Sequence, residues 1–190
     1  RRILDLTHFL HETLRVCHLD LSLENVLISN LKWTHYIDDD GVQRKKLDTC
    51  FVIHLCDFGA CKQFEAKKQE QDEEDDRIDF ECRHFVGKTR YSSPTLFARR
   101  EAFDARSADV WSIGVCVFVM VFGNFPWMFP SENDALFKSM VMERRMLQML
   151  RYWKKDHLID RDAQIVHLLS NIFVVCENQR FSVQQIKQHP

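Results

Sequence analysis

The sequence lacks a closely spaced pair of cysteines. It contains seven cysteines, an odd number, and no two of them form a C-x-x-C pair. This pattern argues against a disulfide framework and against a zinc knuckle. We therefore expect reduced thiols and a location in the cytoplasm or the nucleus.

The sequence also lacks an apolar run long enough to cross a membrane. Its longest apolar stretch runs from Val110 to Phe122 and is interrupted by Ser112 and Gly114, whereas a membrane span needs roughly 20 residues. This stretch is predicted to be a buried helix, and no membrane partner is expected. No signal peptide opens the chain, and its first residue is Arg1, so we expect the true N-terminus to lie upstream.

A strong net charge is missing as well. The net charge is -2, from 26 basic and 28 acidic residues, and the lysines and arginines are scattered rather than gathered in a stripe. This distribution is not typical of a nucleic-acid-binding protein. The acidic run from Glu70 to Glu81 holds eight acids and one arginine. We interpret it as a solvated loop rather than as a regulatory segment or a docking site for a basic partner.

The composition and apolar periodicity predict one globular unit that is mostly helical. An amphipathic helix is predicted up to about Val16, and helical patterns return at 110–122, 135–152 and 165–175. The apolar runs Val26–Ile28 and Phe51–Leu55 are predicted to pair as a β-hairpin with an enlarged tip. A turn is expected at 38–41. Calcium binding there is disfavoured because Tyr36 occupies the first ligand position of an EF-hand loop.

Two motifs with related chemistry lie at the ends of these runs. His18 to Asn25 reads H-L-D-L-S-L-E-N, and Asp57-Phe58-Gly59 follows the second apolar run. In this order and spacing they resemble the catalytic loop and the D-F-G motif of the protein kinase family. Phosphoryl transfer needs a carboxylate to accept the proton of the attacking hydroxyl and oxygen ligands for magnesium. The resemblance implies that Asp20 is the catalytic base and that Asn25 and Asp57 bind the ATP-bound Mg²⁺.

Further motifs extend the resemblance over the whole chain. Residues 87–95 resemble the end of an activation segment, 109–114 resemble the D-x-W-S-x-G of a central buried helix, and 177–182 with His189-Pro190 resemble the closing pattern of the domain. By this resemblance Asp109 braces the catalytic-loop backbone. His18 and Phe58 are expected to stack in the hydrophobic column of an assembled active site.

The resemblance implies a mainly α fold, namely the C-terminal lobe of a protein kinase with one small β-hairpin. Residues 1–190 would form this C-lobe fragment, with the catalytic loop at 18–25, the activation segment at 57–95 and the central helix at 109–122. The sequence has no glycine-rich loop, no V-A-I-K-like lysine and no partner glutamate, so the N-lobe sheet is expected to be absent. The fragment alone would then be nearly inactive.

Two departures from the family pattern concern charge near the active site. Leu19 replaces the arginine that binds an activation-loop phosphate in many kinases, so we expect activity that does not depend on phosphorylation of that loop. Ser22 stands where a lysine is usual, and Lys88 stands where a threonine is usual. We hypothesise that Lys88 supplies the missing catalytic cation. The alternative is an exposed loop lysine.

A third departure concerns a buried ion pair. Thr95 replaces the glutamate that pairs, in the family, with an arginine matching Arg180. A buried arginine without its partner is costly, by about 3 to 5 kcal/mol. Either another acid must compensate, or Arg180 must reach solvent.

The sequence favours a serine/threonine protein kinase that uses ATP and Mg²⁺ and acts on a protein substrate. Tyr91 stands where tyrosine kinases usually have tryptophan, and the loop after Asp20 lacks their A-A-R or R-A-A pattern. Two alternatives remain open. A pseudokinase scaffold would be compatible with Leu19, Ser22 and Thr95, and a small-molecule phosphotransferase would share the aspartate and asparagine but lack the segment from 57 to 95. The oligomeric state is not predicted.

Overall fold

The chain alternates short helices with pairs of short antiparallel strands. The computed structural model describes residues 1–47, 50–64, 79–80, 86–98, 103–159 and 163–190. The α-helices are α1 (Arg2–Phe9), α2 (Pro94–Phe97), α3 (Ala105–Phe122), α4 (Ala135–Phe137), α5 (Met146–Tyr152), α6 (Asp156–Ile159), α7 (Ala163–Ile172) and α8 (Val183–Gln188). The strands are β1 (Val16–Cys17), β2 (Val26–Ser29), β3 (Trp33–Ile37), β4 (Gln43–Leu47), β5 (Val52–Leu55), β6 (Lys62–Gln63), β7 (Asp79–Phe80) and β8 (Phe103–Asp104).

The prediction of a mainly helical fold with one small hairpin is wrong. The described strands form four separate two-stranded antiparallel sheets, β1 with β6, β2 with β5, β3 with β4, and β7 with β8. The three sheets other than β2 with β5 have no alternation of apolar and polar residues from which their strands could be predicted. Strands of two residues are too short for a periodic pattern, and the β3–β4 hairpin is exposed on both faces, including Trp33, Tyr36 and Ile37 of β3.

The predicted pairing of the two apolar runs is confirmed. Strands β2 and β5 pair antiparallel, with Val26 opposite Leu55 and Ser29 opposite Val52. The enlarged tip between them is the β3–β4 hairpin, whose turn is organised by Asp38. Its carboxylate accepts hydrogen bonds from the backbone N–H groups of Asp40 and Val42, as the predicted turn at 38–41 requires.

Helix α3 is the centre of the core. Among the described helices, one, Ala105–Phe122, is long and apolar enough to cross a membrane. However, 72% of it is buried inside the protein, as in a core helix. Trp111, Phe118 and Phe122 pack there with residues of α5 and α7. A Cβ on Gly114 would lie 2.4 Å from Ile172 Cγ2, so glycine at this position permits the close approach of α3 and α7.

The predicted helical patterns are confirmed as helices but with different ends. The first helix continues beyond α1 as a π-helical segment at Leu10–Leu14, and Arg15 ends it in the left-handed conformation. The pattern at 135–152 is divided into α4, a π-helical segment at Lys138–Met142 and α5. Residues 70–78 and 81 of the acidic run lie outside the described residues, so its interpretation as a solvated loop stays a prediction.

Candidate active site

The backbone at the start of the predicted catalytic loop is held by the Asp109 carboxylate of helix α3. Asp109 is fully buried, and its two oxygens accept hydrogen bonds from the backbone N–H groups of His18 and Leu19, each at 2.8 Å. The Nε2 atom of His11 lies 2.8 Å from the same carboxylate. A buried carboxylate with several donors fixes the backbone that it contacts. The predicted bracing role of Asp109 is therefore confirmed.

His11, Cys17 and Asp109 also form the one cluster of metal-ligating side chains found among the described residues, with donor atoms within 4.8 Å of one another. Burial and the Asp109 charge raise the pKa of the Cys17 thiol well above its usual value of 9.0. The thiol therefore stays protonated, and the Asp109 oxygens already accept backbone hydrogen bonds. We interpret this cluster as structural support of the loop. Sequence reasoning missed His11, which lies on a π-helical turn and is separated from Asp109 by 98 residues in the chain.

His18 holds the start of the loop against the D-F-G motif. Its ring lies 5.0 Å from the Phe58 ring between centroids, so the two rings are in contact as predicted, but their planes are tilted by 48° rather than stacked. Its Nδ1 atom accepts a hydrogen bond from the backbone N–H of Asp20 at 3.3 Å, which places the proton of a neutral ring on Nε2. That N–H then donates to the Cys56 carbonyl at 3.2 Å.

Leu19 lies in a hydrophobic cluster instead of at an anion-binding surface. Its side chain is 3% exposed, and its backbone adopts the left-handed conformation with φ of 61°. The buried side chains around it are apolar: Cys17, Phe64, Leu96, Phe103, Ala105 and Ala108. A leucine in this position offers no hydrogen-bond donor to a phosphate.

Four side chains from two distant parts of the sequence, residues 20–25 and residue 88, meet beside the catalytic loop. The Nζ atom of Lys88 lies 3.2 Å from Asp20 Oδ2, 3.0 Å from Ser22 Oγ and 3.1 Å from Asn25 Oδ1. Asn25 in turn donates from Nδ2 to Asp20 Oδ2 at 3.0 Å and to the Asp20 carbonyl at 2.8 Å. The ammonium group therefore occupies the centre of the predicted catalytic residues.

Gly87 allows this approach of the activation segment to the loop. Its φ is 80°, and a Cβ at this position would lie 2.6 Å from the Leu19 carbonyl oxygen. Only glycine tolerates both the left-handed backbone and this contact. The next residue, Lys88, donates its backbone N–H to Asp20 Oδ1 at 3.0 Å. Lys88 thus contacts Asp20 with both its backbone and its side chain.

Asp57 lies at the end of β5, next to Asn25. The Cys56 N–H donates to the Asn25 carbonyl at 3.0 Å, and Asp57 follows in the left-handed conformation with φ of 64°. Its carboxylate is exposed and has no hydrogen-bond partner among the described residues. Carboxylate and amide oxygens are the ligands that Mg²⁺ prefers. Asn25 and Asp57 therefore offer oxygen atoms of the type that suits a magnesium ion, and in this structure Asn25 Oδ1 contacts the Lys88 ammonium at 3.1 Å.

Tyr91 and Glu24 form a contact that the sequence did not indicate. Burial and a hydrogen bond to Glu24 raise the pKa of the Tyr91 hydroxyl well above its usual value. The Ser112 hydroxyl of α3 donates to the Tyr91 carbonyl at 2.9 Å. Tyr91 thus joins the activation segment to the catalytic loop on one side and to the core helix on the other.

Arg180 is buried without the usual glutamate. Its side chain is 6% exposed, so the alternative that it reaches solvent is wrong. Its guanidinium donates to the carbonyls of Val174 and Ser107, both at 2.8 Å, and to the Ser107 hydroxyl at 2.9 Å. Burial lowers its pKa to about 10, and the charge of Glu177 acts in the opposite direction.

Glu177 is the acid that compensates near Thr95. The Thr95 hydroxyl donates to Glu177, and Glu177 also accepts the backbone N–H of Asp104 at 2.9 Å. Glu177 therefore contacts the position that lost the carboxylate, and its charge favours the protonated form of Arg180.

The sequence of this chain is similar to those of known proteins. The family model described as "Protein kinase domain" matches residues 1–190. The chain is 32% identical over 179 residues to an abscisic acid-inducible protein kinase of Triticum aestivum, with 94% of this chain and 43% of that protein covered. It is 32% identical to the serine/threonine-protein kinase SAPK2 of Oryza sativa subsp. japonica, covering 94% of this chain and 42% of the relative. It is 29% identical to the serine/threonine-protein kinase SRK2H of Arabidopsis thaliana, covering 94% and 40%.

These matches also correct the predicted fold. The chain spans about two fifths of the length of the curated relatives it matches. The predicted restriction to a helical C-terminal lobe is contradicted, because the kinase-domain model matches the chain from its first residue to its last and the described residues contain four small sheets. With the braced loop, the D-F-G contact and the family match together, the chain belongs to the protein kinase family.

Proposed function

We propose that the protein containing this chain is a serine/threonine kinase that transfers the γ-phosphoryl group of ATP to the hydroxyl groups of a protein substrate. One observation carries the proposal, namely the convergence of Asp20, Asn25 and Lys88 at the mouth of a loop whose backbone is fixed by Asp109. The names of the relatives support the choice of serine and threonine as acceptors.

Asp20 has the position and chemistry of the proton acceptor. A new bond would form between the substrate oxygen and the γ-phosphorus while the bond to the bridging oxygen of ADP breaks, and the hydroxyl proton would pass to Asp20. The Asp20 carboxylate is held by the Lys88 backbone N–H and by Asn25 Nδ2, at 3.0 Å each. Such preorganisation lowers the cost of orienting the hydroxyl in the transition state.

Lys88 would stabilise the charge that develops on the transferring group. Its ammonium lies within 3.2 Å of Asp20 and contacts Ser22, the position where a family lysine is usual. Asn25 and Asp57 would hold Mg²⁺, which neutralises phosphate charge when bound. The Lys88 ammonium therefore lies beside the proposed proton acceptor, Asp20, and is not the side chain of an exposed loop lysine without contacts.

The non-catalytic scaffold alternative has no comparable support. A scaffold would have no chemical need for a carboxylate, an amide and an ammonium in mutual contact, and the relatives are named as kinases. A small-molecule phosphotransferase is likewise disfavoured because the match to the protein kinase domain includes the segment from 57 to 95.

The test is phosphoryl transfer from labelled ATP to a peptide library of Ser, Thr and Tyr acceptors, with the full-length protein. We expect magnesium-dependent labelling of Ser and Thr peptides. Asp20→Asn should reduce the rate at least about 100-fold, because general-base catalysis commonly contributes that much.

The matched control is Asp39→Asn, which makes the same change at an exposed position of the β3–β4 turn. This variant should retain the wild-type rate. Equal labelling by the wild type and by Asp20→Asn would contradict the proposed role of Asp20, and preferential labelling of Tyr peptides would contradict the proposed acceptor.

We also propose an intracellular location. Cys17, Cys56, Cys61, Cys116 and Cys176 are free thiols. Burial raises the pKa of Cys61 to about 11 and that of Cys116 to about 12, so both remain protonated. Such thiols are compatible with a reducing compartment.

A further inference from the structure

An arginine of the activation segment, Arg90, has no acidic partner among the described residues. Arg90 follows Lys88 by two residues in a turn closed by the hydrogen bond from the Tyr91 N–H to the Lys88 carbonyl at 2.9 Å. Two Cα–Cα steps span at most about 8 Å. The Arg90 Cα therefore lies within about 8 Å of the Lys88 Cα, in the segment that contacts Asp20.

The guanidinium of Arg90 is held in position by weak partners. Its Nη2 donates to the Met128 sulfur at 3.0 Å, and its central carbon lies 4.9 Å from the centre of the Phe125 ring. A thioether is a weak acceptor, and a guanidinium has five N–H donors. Among the described residues Arg90 has no carboxylate partner. These two contacts fix the position of the guanidinium. Within the described part of the chain they leave most of its N–H donors without a partner.

Apolar side chains surround this cation on the same surface. Met128 is 48% exposed and Phe129 is 44% exposed, and the Phe129 ring stacks with that of Phe97 at 6.4 Å. We name Arg90, Phe97, Met128 and Phe129 the Arg90 patch.

The patch is built on a fixed backbone. Asp134 accepts hydrogen bonds from the N–H groups of Met128 at 2.9 Å and of Phe129 at 3.2 Å. A preorganised surface loses little conformational entropy when it binds a partner. The patch is therefore better suited to recognition than a mobile arginine would be.

From this geometry we infer that the Arg90 patch selects substrates with an acidic side chain, Asp or Glu, near the accepting hydroxyl. The inference rests on the proposed kinase function. A planar guanidinium binds a carboxylate through paired, charge-assisted hydrogen bonds. Since an extended peptide advances about 3.3 Å per residue, the acidic residue would lie about one to three residues from the hydroxyl that reaches Asp20.

The experiment compares serine peptides that differ at one position. A neutral parent peptide receives Asp, Ala or Lys in turn at each of the three positions on either side of the serine. The kcat/KM of the full-length protein is then measured for every peptide. We expect Asp at one position to be preferred over Ala about tenfold, mainly through KM, as one charge-assisted hydrogen bond would give.

Variants of Arg90 connect the preference to the patch. Arg90→Glu should reverse the preference towards Lys at the same position, measured as the ratio of kcat/KM for the Asp and Lys peptides within each variant. Arg90→Lys should retain a reduced preference for Asp, because the charge remains while the planar fork is lost. Arg151→Glu, at an exposed position of α5, is the matched control and should behave as the wild type.

Each outcome decides the inference. No preference for Asp in an active wild type, or an equal preference in Arg90→Glu, would overturn it. If no peptide is phosphorylated, the proposed kinase function fails, and fluorescence anisotropy of the labelled Asp and Lys peptides decides the inference separately. Tighter binding of the Asp peptide by the wild type but not by Arg90→Glu would support it, and equal affinities would overturn it.

Discussion

At the residue scale, one lysine side chain contacts three other residues of the proposed active site. Lys88 Nζ lies within 3.2 Å of Asp20, Ser22 and Asn25, although its side chain remains partly exposed. The hypothesis of a relocated cation required this proximity between Ser22 and Lys88. The distance of 3.0 Å between Lys88 Nζ and Ser22 Oγ satisfies the requirement. The catalytic role itself stays a prediction.

Exchanging the two residues tests that role. Lys88→Thr should reduce kcat about 100-fold and change KM little, because a transition-state cation is removed while substrate binding remains. Adding Ser22→Lys should restore a large part of kcat, since the new ammonium would start beside the space that Lys88 occupied. Steady-state kinetics on a Ser peptide provides both constants.

The control for this exchange is Lys62→Thr, which removes an exposed lysine from strand β6. It should leave both constants unchanged. A wild-type kcat for Lys88→Thr would mean that the ammonium does not act in turnover. A loss in the single variant without rescue in the double variant would mean that Lys88 acts through its position and not only through its charge.

At the element scale, short helices depend on caps more than on their own length. Helix α4 has only three residues, Ala135–Phe137, and its N-cap Asp134 accepts the N–H groups of Leu136 at 2.9 Å and Phe137 at 3.0 Å. The same carboxylate holds Met128 and Phe129. One aspartate therefore joins the helix to the segment that carries the apolar part of the Arg90 patch.

The Asp134 cap should make stability depend on pH in the acid range. Burial raises the pKa of Asp134, but hydrogen bonds from four backbone N–H groups outweigh it, and the pKa is lowered from 3.8. The folded protein then binds this proton less tightly than the unfolded chain does. The ionised Asp134 carboxylate therefore contributes its full stabilisation of the folded state above pH 3.8. This contribution is lost as the pH falls through the pKa of Asp134 in the folded protein, which lies below 3.8.

Denaturant unfolding across this range tests the prediction. At pH 7, Asp134→Ala should lower the free energy of unfolding by about 1 to 2 kcal/mol, because a cap is lost. Asp134→Asn, which keeps an acceptor oxygen, should cost less and should weaken the pH dependence below pH 3.8. Asp39→Asn, at an exposed turn, serves as the control for the charge. An unchanged acid slope in Asp134→Asn would contradict the assignment.

At the scale of the whole molecule, the sequence predicted those parts whose chemistry fixes the residue type. Asp20, Asn25 and Asp57 were predicted as site residues because their motifs resemble those of the protein kinase family in order and spacing, and the pairing of β2 with β5 was predicted because both runs are apolar. The β3–β4 hairpin escaped prediction because its strands bury neither face and show no regular alternation of apolar and polar residues. The carbonyl contacts of Arg180 also escaped, since backbone acceptors leave no mark in the sequence.

The whole molecule also determines whether phosphorylation is needed to assemble the active site. In this chain the catalytic-loop backbone is held by Asp109, and Gly87 brings Lys88 onto Asp20. Leu19 contributes to a hydrophobic cluster and offers no donor to a phosphate. The described contacts thus position the loop without a phosphate-binding arginine at residue 19.

We therefore expect phosphatase treatment of the full-length protein to leave its kcat and KM for a Ser peptide unchanged. The enzyme would be treated with phosphatase or with phosphatase plus its inhibitor, and mass spectrometry would verify removal of phosphate from residues 57–95. A loss of rate of tenfold or more in the treated sample alone would show that a phosphate contributes to positioning the loop. Its receptor would then have to be a cation other than residue 19, because the Leu19 side chain is buried among apolar groups and has no donor to offer.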